Sequence, residues 1–261
     1  MKMSYLKKGM TTFDVKILGI ILMVVDHVHQ MFFTVVPTWV DYFGRPVATL
    51  FFFLSVVGFS HTHSKKKYMW RLYSGVVIMS LGNMAMSQLF PSAVGVELIN
   101  NIFRDLFLGT VLMAGIDAFA TFKADKKVGQ LFKGVFLMLL PLLLAIPVLL
   151  ITALPGTFGP VLAQVMMTFV PNAALAENSI MIYMIPLLYL ARNSKPWQMG
   201  IISLFAVLYL LTGSYQWLMI FALIPIALYN GQKGPGVKNF FYVFYPAHIW
   251  GLYLLSYFLM R

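Results

Sequence analysis

The chain has 261 residues, of which 60% are hydrophobic and only 10% are charged, and its mean hydropathy is +0.82. Ordinary soluble domains carry about 25% charged residues, so this composition excludes a soluble globular protein. It predicts an all-α polytopic integral membrane protein with one domain, residues 1–261. The absence of cysteine excludes disulfides and thiolate chemistry. The net charge of +11 lies in short blocks between hydrophobic runs, which favours orientation in a membrane over nucleic-acid binding.

Hydrophobic runs of about 20 residues, long enough to cross a bilayer, predict about nine transmembrane helices. In chain order they cover residues 15–36, 46–62, 68–90, 100–119, 131–153, 174–192, 198–212, 215–230 and 239–259. An apolar segment at 157–171 is short and bracketed by prolines. It is predicted to be a re-entrant half-helix, with a tenth span as the alternative. No small-residue cleavage site follows the first run, so we expect that span to be retained.

The distribution of basic residues predicts the orientation. With nine spans, every basic cluster falls in loops on one side of the membrane. These clusters contain Lys2, Lys7, Lys8, Lys65, Lys66, Lys67, Lys123, Lys126, Lys127, Arg192, Lys195, Lys233 and Lys238. The positive-inside rule then predicts a multi-pass protein of the cell membrane, with a cytoplasmic N-terminus and an outside C-terminus. A tenth full span would break this alternation, which favours the half-helix.

The first span, VKILGIILMVVDHVHQMFF, carries four ionisable side chains, although such groups inside a membrane are costly and usually functional. Lys16 and His27 are eleven residues apart, so they share one helix face at a separation of roughly 16 Å. Asp26 points elsewhere and can pair with His29, three residues on. The alternatives are that Lys16 extends to the membrane edge and that His27 makes a helix-packing hydrogen bond.

The last span, NFFYVFYPAHIWGLYLL, offers a matching feature. Tyr242, Tyr245 and His248 are three residues apart and form one polar stripe, with His248 near the expected midplane. Pro246 cannot donate a backbone hydrogen bond, which frees the carbonyl of Tyr242. This combination is typical of the lining of a binding site. The alternative is an aromatic belt with an incidental histidine.

Two further places lie on the outer side of the predicted topology. Arg45 opens the second span, and the alternative to a site residue there is an interfacial anchor. Asn101 and Arg104 share one face of the fourth span, with Asp105 adjacent to Arg104. A structural ion pair between Arg104 and Asp105 is the alternative to substrate binding.

A cytoplasmic helix end gathers cations in the stretch GFSHTHSKKKYMWRL, which contains His61, His63, Lys65–Lys67 and Arg71. It is either a solvated loop or an anion site for a phosphorylated cofactor, since lysine and arginine bind phosphate well. His61 and His63 do not converge at this spacing and have no carboxylate nearby in sequence, so no metal is expected. The chain has no Walker loop, dinucleotide fingerprint or serine-hydrolase elbow.

Four stretches together resemble the TraX family in order and spacing: FDVKILGIILMVVDHV, FGRPVATLFFFLSVVGFSHTHSKKKYMWRL, NNIFRDLFLGTVLMAGID and NFFYVFYPAHIW. The resemblance covers about the first 120 and the last 25 residues, with a featureless middle. The family is named after a conjugation protein that acetylates the N-terminus of pilin. The resemblance therefore implies a bacterial membrane acetyltransferase.

The chain is also similar to membrane acyltransferases of the acyltransferase-3 superfamily, which carry a basic residue, ten intervening residues and a histidine in the first span. Lys16 and His27 fit that spacing. The histidine of that superfamily is thought to serve in acyl transfer from a coenzyme A thioester, so the resemblance implies a cytoplasmic acetyl-CoA donor. Its intramembrane arginine would correspond in role to Arg45 or Arg104.

Acyl transfer needs a base, an oxyanion donor and a holder for the anionic coenzyme. We expect His27 to be the base, with Asp26 or His248 setting its tautomer. Tyr245, Arg104 or Asn101 would polarise the acyl oxygen, and Arg45, Asn101 and Arg104 are the expected acceptor-binding residues. The coenzyme-binding set is Lys16, His61, Lys65, Lys66, Arg71 and Tyr245. An acetyl-histidine intermediate is an alternative to direct transfer.

The expected partners are the lipid bilayer and an acyl acceptor: a pilin-like peptide amine, a cell-surface glycan or a lipid head group. Two other functions stay open from the residues. Asp26, His27 and His248 would also suit the proton relay of a transporter or flippase, and the protein could instead be a structural membrane partner without chemistry. Transport predicts substrate movement without thioester consumption, whereas a structural role predicts that Lys16, His27 and His248 tolerate substitution.

Overall fold

The computed structural model describes residues 9–152, 158–236 and 240–260, and within these ranges the fold is all-helical, with one isolated bridge between Met10 and Tyr229. The α-helices are α1 Thr12–Met31, α2 Arg45–His61, α3 Lys65–Leu89, α4 Ile102–Asp125, α5 Val128–Leu143, α6 Ala145–Thr152, α7 Phe158–Phe169, α8 Met184–Leu190, α9 Lys195–Leu211, α10 Leu223–Leu228 and α11 Phe240–Leu259. Shorter 3₁₀ segments cover Thr38–Gly44, Ala173–Leu175, Ser179–Tyr183 and Tyr215–Ala222. The all-α prediction is confirmed.

Three helical segments are long and apolar enough to cross a membrane: Thr38–His61, Ile102–Asp125 and Val128–Ile151. They coincide with the second, fourth and fifth predicted spans, so the chain is a membrane protein. α1, α3 and α11 match the spans at 15–36, 68–90 and 239–259 in position. They carry more polar side chains, and the count of nine stays a prediction.

The predicted span at 174–192 is not one continuous helix. It consists of two 3₁₀ segments followed by α8, because the carboxylate of Asp105 accepts hydrogen bonds from the main-chain N–H groups of Glu177 and Asn178. The predicted span at 215–230 is likewise a 3₁₀ segment followed by the six-residue α10. α7, at 12 residues, is about 18 Å long, which is shorter than the hydrocarbon of a bilayer and favours the half-helix at 157–171.

Some predictions fall outside the described residues. Lys2, Lys7, Lys8 and Lys238, which helped to set the predicted orientation, lie there. So do residues 153, 157 and 239, at the ends of predicted segments.

The start of α1 is fixed by its own cap and by the loop that follows α10. Thr11 and Asp14 form a reciprocal capping box, and its hydrogen bonds from the Thr11 main chain and hydroxyl lower the pKa of the Asp14 carboxyl. The N–H groups of Met10 and Thr12 donate to the carbonyls of Leu228 and Gln232. These bonds anchor the first turn of the helix that carries Lys16 and His27.

The chain divides into two compact units, each discontinuous in sequence. The first unit comprises residues 1–54 and 194–256, and the second comprises residues 55–193 and 257–261. The predicted single domain over residues 1–261 stays a prediction. In the first unit, Ser256 donates to the carbonyl of Met31 and so links α11 to the end of α1. In the second unit, α3, α5 and α8 pack against α4.

Candidate functional site

The centre of the first unit is a hydrogen bond between two histidine rings from opposite ends of the chain. Nδ1 of His27, on α1, lies 2.7 Å from Nε2 of His248, on α11. The rings stack with their centroids 4.9 Å apart. His27 is 3% exposed. Because both helices contribute one ring each, the pair forms only when α1 and α11 pack together.

The main chain determines which nitrogen of each ring carries a proton. Nδ1 of His248 lies 2.8 Å from the carbonyl oxygen of Phe244, which can only accept, so this Nδ1 must be protonated. In a neutral His248 ring Nε2 is then an acceptor, and Nδ1 of His27 donates to it. In a neutral His27 ring the basic lone pair therefore lies on Nε2. The chain of bonds from Phe244 through His248 thus fixes the tautomer of His27.

Aromatic rings surround the histidine pair. Phe244 stacks on His248 at a centroid distance of 4.9 Å and an interplanar angle of 11°. Tyr245 contacts both imidazoles edge-on, at 6.2 Å from His27 and 5.7 Å from His248, and is itself buried. The two histidines therefore have fixed ring planes, which a group that must accept a proton in one direction requires.

A second cluster in the first unit forms around Arg45, at the start of α2. Its guanidinium forms an ion pair with Asp41, lies 3.5 Å from Oδ1 of Asp26 and donates to Oε1 of Gln216 at 3.4 Å. Gln216 donates back to the carbonyl of Arg45 at 3.1 Å. The structure thus places Asp26 against an arginine, and the hydrogen bond of the His27 ring is to His248.

Gly44 lies against Asp26, where the groups of this cluster approach each other most closely, and only a glycine leaves enough space there. A Cβ at this position would overlap the carboxylate of Asp26. His29, expected as a partner of Asp26, has its Nδ1 3.9 Å from Asp41, while its Nε2 is buried without a hydrogen bond in the described part of the chain. The absent side chain at residue 44 is what lets Asp26 approach Arg45.

Lys16 lies three helical turns before His27 and is half-buried on α1. Among the residues that the structure describes, no hydrogen bond or ion pair engages its amine. An ammonium in a partly desolvated position favours an anion as a partner. The position is compatible with the coenzyme-binding role expected for Lys16, which stays a prediction.

Asn101 and Arg104, in the second unit, make protein contacts rather than line an open surface. Arg104 donates to the carbonyls of Leu175 and Met167 at 2.7 and 3.0 Å and to the hydroxyl of Ser80 at 3.2 Å. Asn101 donates to Ser80 and to the carbonyl of Val76. These bonds connect the start of α4 to α3, to α7 and to the segment before α8. The acceptor-binding role expected for both residues stays a prediction.

The cationic stretch at the start of α3 divides into an inward and an outward part. Nζ of Lys65 lies 2.6 Å from Oδ2 of Asp117, and the Tyr189 hydroxyl donates to Oδ1 of the same carboxylate at 2.7 Å. Lys66 and Arg71 are exposed, as is His61, whose Nδ1 lies 2.8 Å from the carbonyl of Val57. Lys65 thus has a carboxylate partner that the sequence analysis did not identify.

Sequence reasoning missed Asp41, Asp117 and Gln216 as members of these clusters. Asp117 lies in the stretch NNIFRDLFLGTVLMAGID, and an acidic residue inside an apolar run was the signal that could have identified it. Asp41 lies between the first two predicted spans and Gln216 lies at the very start of the predicted span at 215–230, so neither gives such a signal. Among the described residues, no group of three or more histidine, cysteine, aspartate or glutamate side chains could hold a metal ion.

Comparison with known families gives one match. A family model described as TraX protein matches residues 13–256, nearly the whole chain. No curated protein and no solved structure gives a significant match.

Proposed function

The chain belongs to the TraX family, and from that premise we propose that it is an integral membrane acyltransferase. It would move an acetyl group from cytoplasmic acetyl-CoA to an amine or hydroxyl acceptor, such as a pilin-like peptide N-terminus or a cell-surface glycan. The observation that carries the proposal is the hydrogen bond between His27 and His248. A buried imidazole whose tautomer is fixed by a second group is the arrangement that general base catalysis needs.

In the proposed reaction, Nε2 of His27 takes the proton of the acceptor's N–H or O–H group as the acceptor atom attacks the thioester carbon. The tetrahedral intermediate then collapses, the carbon–sulfur bond breaks, and the proton passes to the sulfur to give free coenzyme A. His248 supports the positive charge on His27, because its Nε2 accepts from the Nδ1–H of that ring. The proposed reaction requires no oxidant and no metal ion.

Tyr245 would bind the acyl oxygen, because its ring lies against both imidazoles. A phenol hydroxyl directed at the developing oxyanion would stabilise the intermediate. Lys16, on the same face of α1 as His27, would bind an anionic part of the coenzyme. Arg45 would hold Asp26 in place, since its guanidinium contacts Asp26, Asp41 and Gln216.

The test is release of free coenzyme A from acetyl-CoA by purified protein in detergent, followed with a thiol reagent. The chain has no cysteine, so the reagent reports only the product. We expect His27→Ala to lower the rate about 10²- to 10⁴-fold, the usual contribution of a general base. His63→Ala removes an exposed histidine and serves as the control. Release by His27→Ala at the wild-type rate would overturn the assignment of the base.

One observation also suits a proton-coupled transporter, because two hydrogen-bonded imidazoles can pass a proton. The two functions differ in ligand and product. Acyl transfer predicts that coenzyme A raises the melting temperature by mass action and that thiol is released. Transport predicts proton flux into protein-containing vesicles, with no response to coenzyme A. A flux without thiol release would replace the acyltransferase proposal.

A further inference from the structure

One face of α3 is buried and the opposite face is exposed along its whole length. The buried face consists of Leu72, Val76, Met79 and Asn83, and α3 packs against α4 and α7. The exposed face follows the helical repeat, and its residues are Lys67, Trp70, Arg71, Ser74, Ile78, Leu81, Ala85 and Leu89. This exposed series, together with the exposed Lys66, is called the α3 outer face below.

The chemistry of the α3 outer face changes along the helix. Its first two turns carry the three cations Lys66, Lys67 and Arg71, with no acidic residue in the first turn. Trp70 stands beside them and is 57% exposed. Farther along, Ile78 is 54% exposed and Leu89 is 70% exposed. The order is therefore cation, tryptophan and aliphatic side chain.

That order matches the layers of one bilayer leaflet. Phosphates lie at the surface, tryptophan prefers the interface, and acyl chains lie below it. From Arg71 to Leu81 the helix rises roughly 15 Å, which is about half the hydrocarbon thickness of a bilayer. An anionic phospholipid whose phosphate contacts the cations would therefore extend its acyl chains along Ile78 and Leu81.

We propose that the α3 outer face binds an anionic phospholipid, with the lipid phosphate held by Lys66, Lys67 and Arg71 and the acyl chains against Ile78 and Leu81. The charge of the patch selects an anionic head group over a zwitterionic one. A phosphate at this position also offsets three cations placed at the N-terminal end of a helix, where the helix dipole disfavours them. Lys65 is not part of the site, because Asp117 binds it.

A free phosphate or a soluble coenzyme would use the cations but not the apolar series beyond them. A lipid uses both, which is why the observations favour a lipid. The proposal does not depend on the acyltransferase function, and its test involves no acetyl transfer.

The experiment uses the purified full chain in a neutral detergent. Phosphatidylglycerol or phosphatidylcholine with the same acyl chains is titrated in, and binding is followed by the melting temperature and by native mass spectrometry. Lipid that binds only the folded state raises the melting temperature. We expect phosphatidylglycerol to bind in preference to phosphatidylcholine. Inorganic phosphate at the same concentration should produce no shift.

The decisive variant is K66Q/K67Q/R71Q, and the matched control is K123Q/K126Q/K127Q. Both remove three exposed cations from the second unit. Lys123 lies in the last turn of α4, and Lys126 and Lys127 precede α5, whose exposed apolar residues include no tryptophan. Each cation near an anionic surface contributes about a factor of five in binding, so we expect roughly 100-fold weaker binding of phosphatidylglycerol to the first variant. The control should bind it as the wild type does.

Three results would overturn the proposal. The first is wild-type binding of both lipids with equal strength. The second is equal loss in the two triple variants, which would indicate a response to net charge only. The third is an equal shift with inorganic phosphate, which would indicate a phosphate site. Native mass spectrometry reports binding directly, so a change in the stability of a variant does not obscure the result.

Discussion

The two compact units both bury ionisable side chains on helices, but they satisfy them differently. In the first unit, His27 bonds to His248, another titratable ring, so a proton can be shared between two side chains. In the second unit, Asp105 is fully buried and accepts from the main-chain N–H groups of Glu177 and Asn178 and from the Asn178 amide. Arg104 donates mainly to carbonyls.

This difference indicates how to separate a chemical role from a structural one. A group bonded to main-chain donors stabilises one loop conformation, and a change in its protonation would break those bonds. A group bonded to a second titratable side chain can gain or lose a proton while the bond persists. Of these two buried groups, His27 in the first unit is therefore where we place acid–base chemistry, and Asp105 in the second is where we expect the largest effect on stability.

The largest expected effect is on the second unit. Asp105→Ala removes a fully buried carboxylate and leaves three donors of the 177–178 segment, in part-buried hydrogen bonds, without their acceptor. We therefore expect it to lower the free energy of unfolding by about 3–5 kcal/mol. Asp125→Ala, at the exposed end of the same helix, is the control. Denaturant unfolding in detergent measures both. A loss below about 1 kcal/mol for Asp105→Ala would mean that the carboxylate does not hold the segment.

A smaller effect, on rate, is expected in the first unit. His248→Phe keeps a ring in the stack on Phe244 but removes the acceptor for His27 Nδ1, so we expect thiol release to fall about 100-fold, or about 2.7 kcal/mol. His248→Gln can restore an acceptor near the position of Nε2 and should recover part of the rate. Equal rates for the two variants would show that His248 acts only through packing. The ratio of the two rates is the measurement.

The smallest effect is expected at the Lys65–Asp117 pair, because the two side chains are 41% and 32% exposed. Removing the pair with Lys65→Met and Asp117→Asn, singly and together, should give a coupling free energy of about 0.2–1 kcal/mol. Thermal or denaturant unfolding of the four proteins measures it. A coupling well above this range would place Lys65 with the strongly held groups of the second unit and contradict its description as a partly solvated cation.

Much of the fold could be predicted because hydrophobicity and helix length are local properties. The apolar run at 100–119 predicts α4, and the run at 131–153 falls on α5 and α6; the segments Ile102–Asp125 and Val128–Ile151 are both long enough to span. The run at 174–192 is also mostly apolar but is not one helix. Its N–H groups at residues 177 and 178 bond to Asp105, more than 70 residues earlier in the chain, and hydropathy does not register such a bond.

The candidate site divides in the same way. The sequence predicts that Lys16 and His27 share a face of α1 and that Tyr245 and His248 share a face of α11, because helical periodicity decides which residues share a face. The partner of Asp26 could not be predicted from the sequence. Asp26 lies against Arg45 only because α1 and the start of α2 meet at Gly44, where the absent side chain leaves room for the carboxylate. The partner of Lys65, Asp117, came from packing of the second unit in the same way.

The sequence by itself determined that this is an all-α membrane protein of the TraX type and which spans carry ionisable groups. Those properties depend on the chemistry of neighbouring residues, so a contiguous stretch contains them. Only the tertiary structure decided which of these groups meet. His27 and His248 are 221 positions apart, and a hydrogen bond of 2.7 Å between them exists only because two helices pack closely enough to bring the rings together.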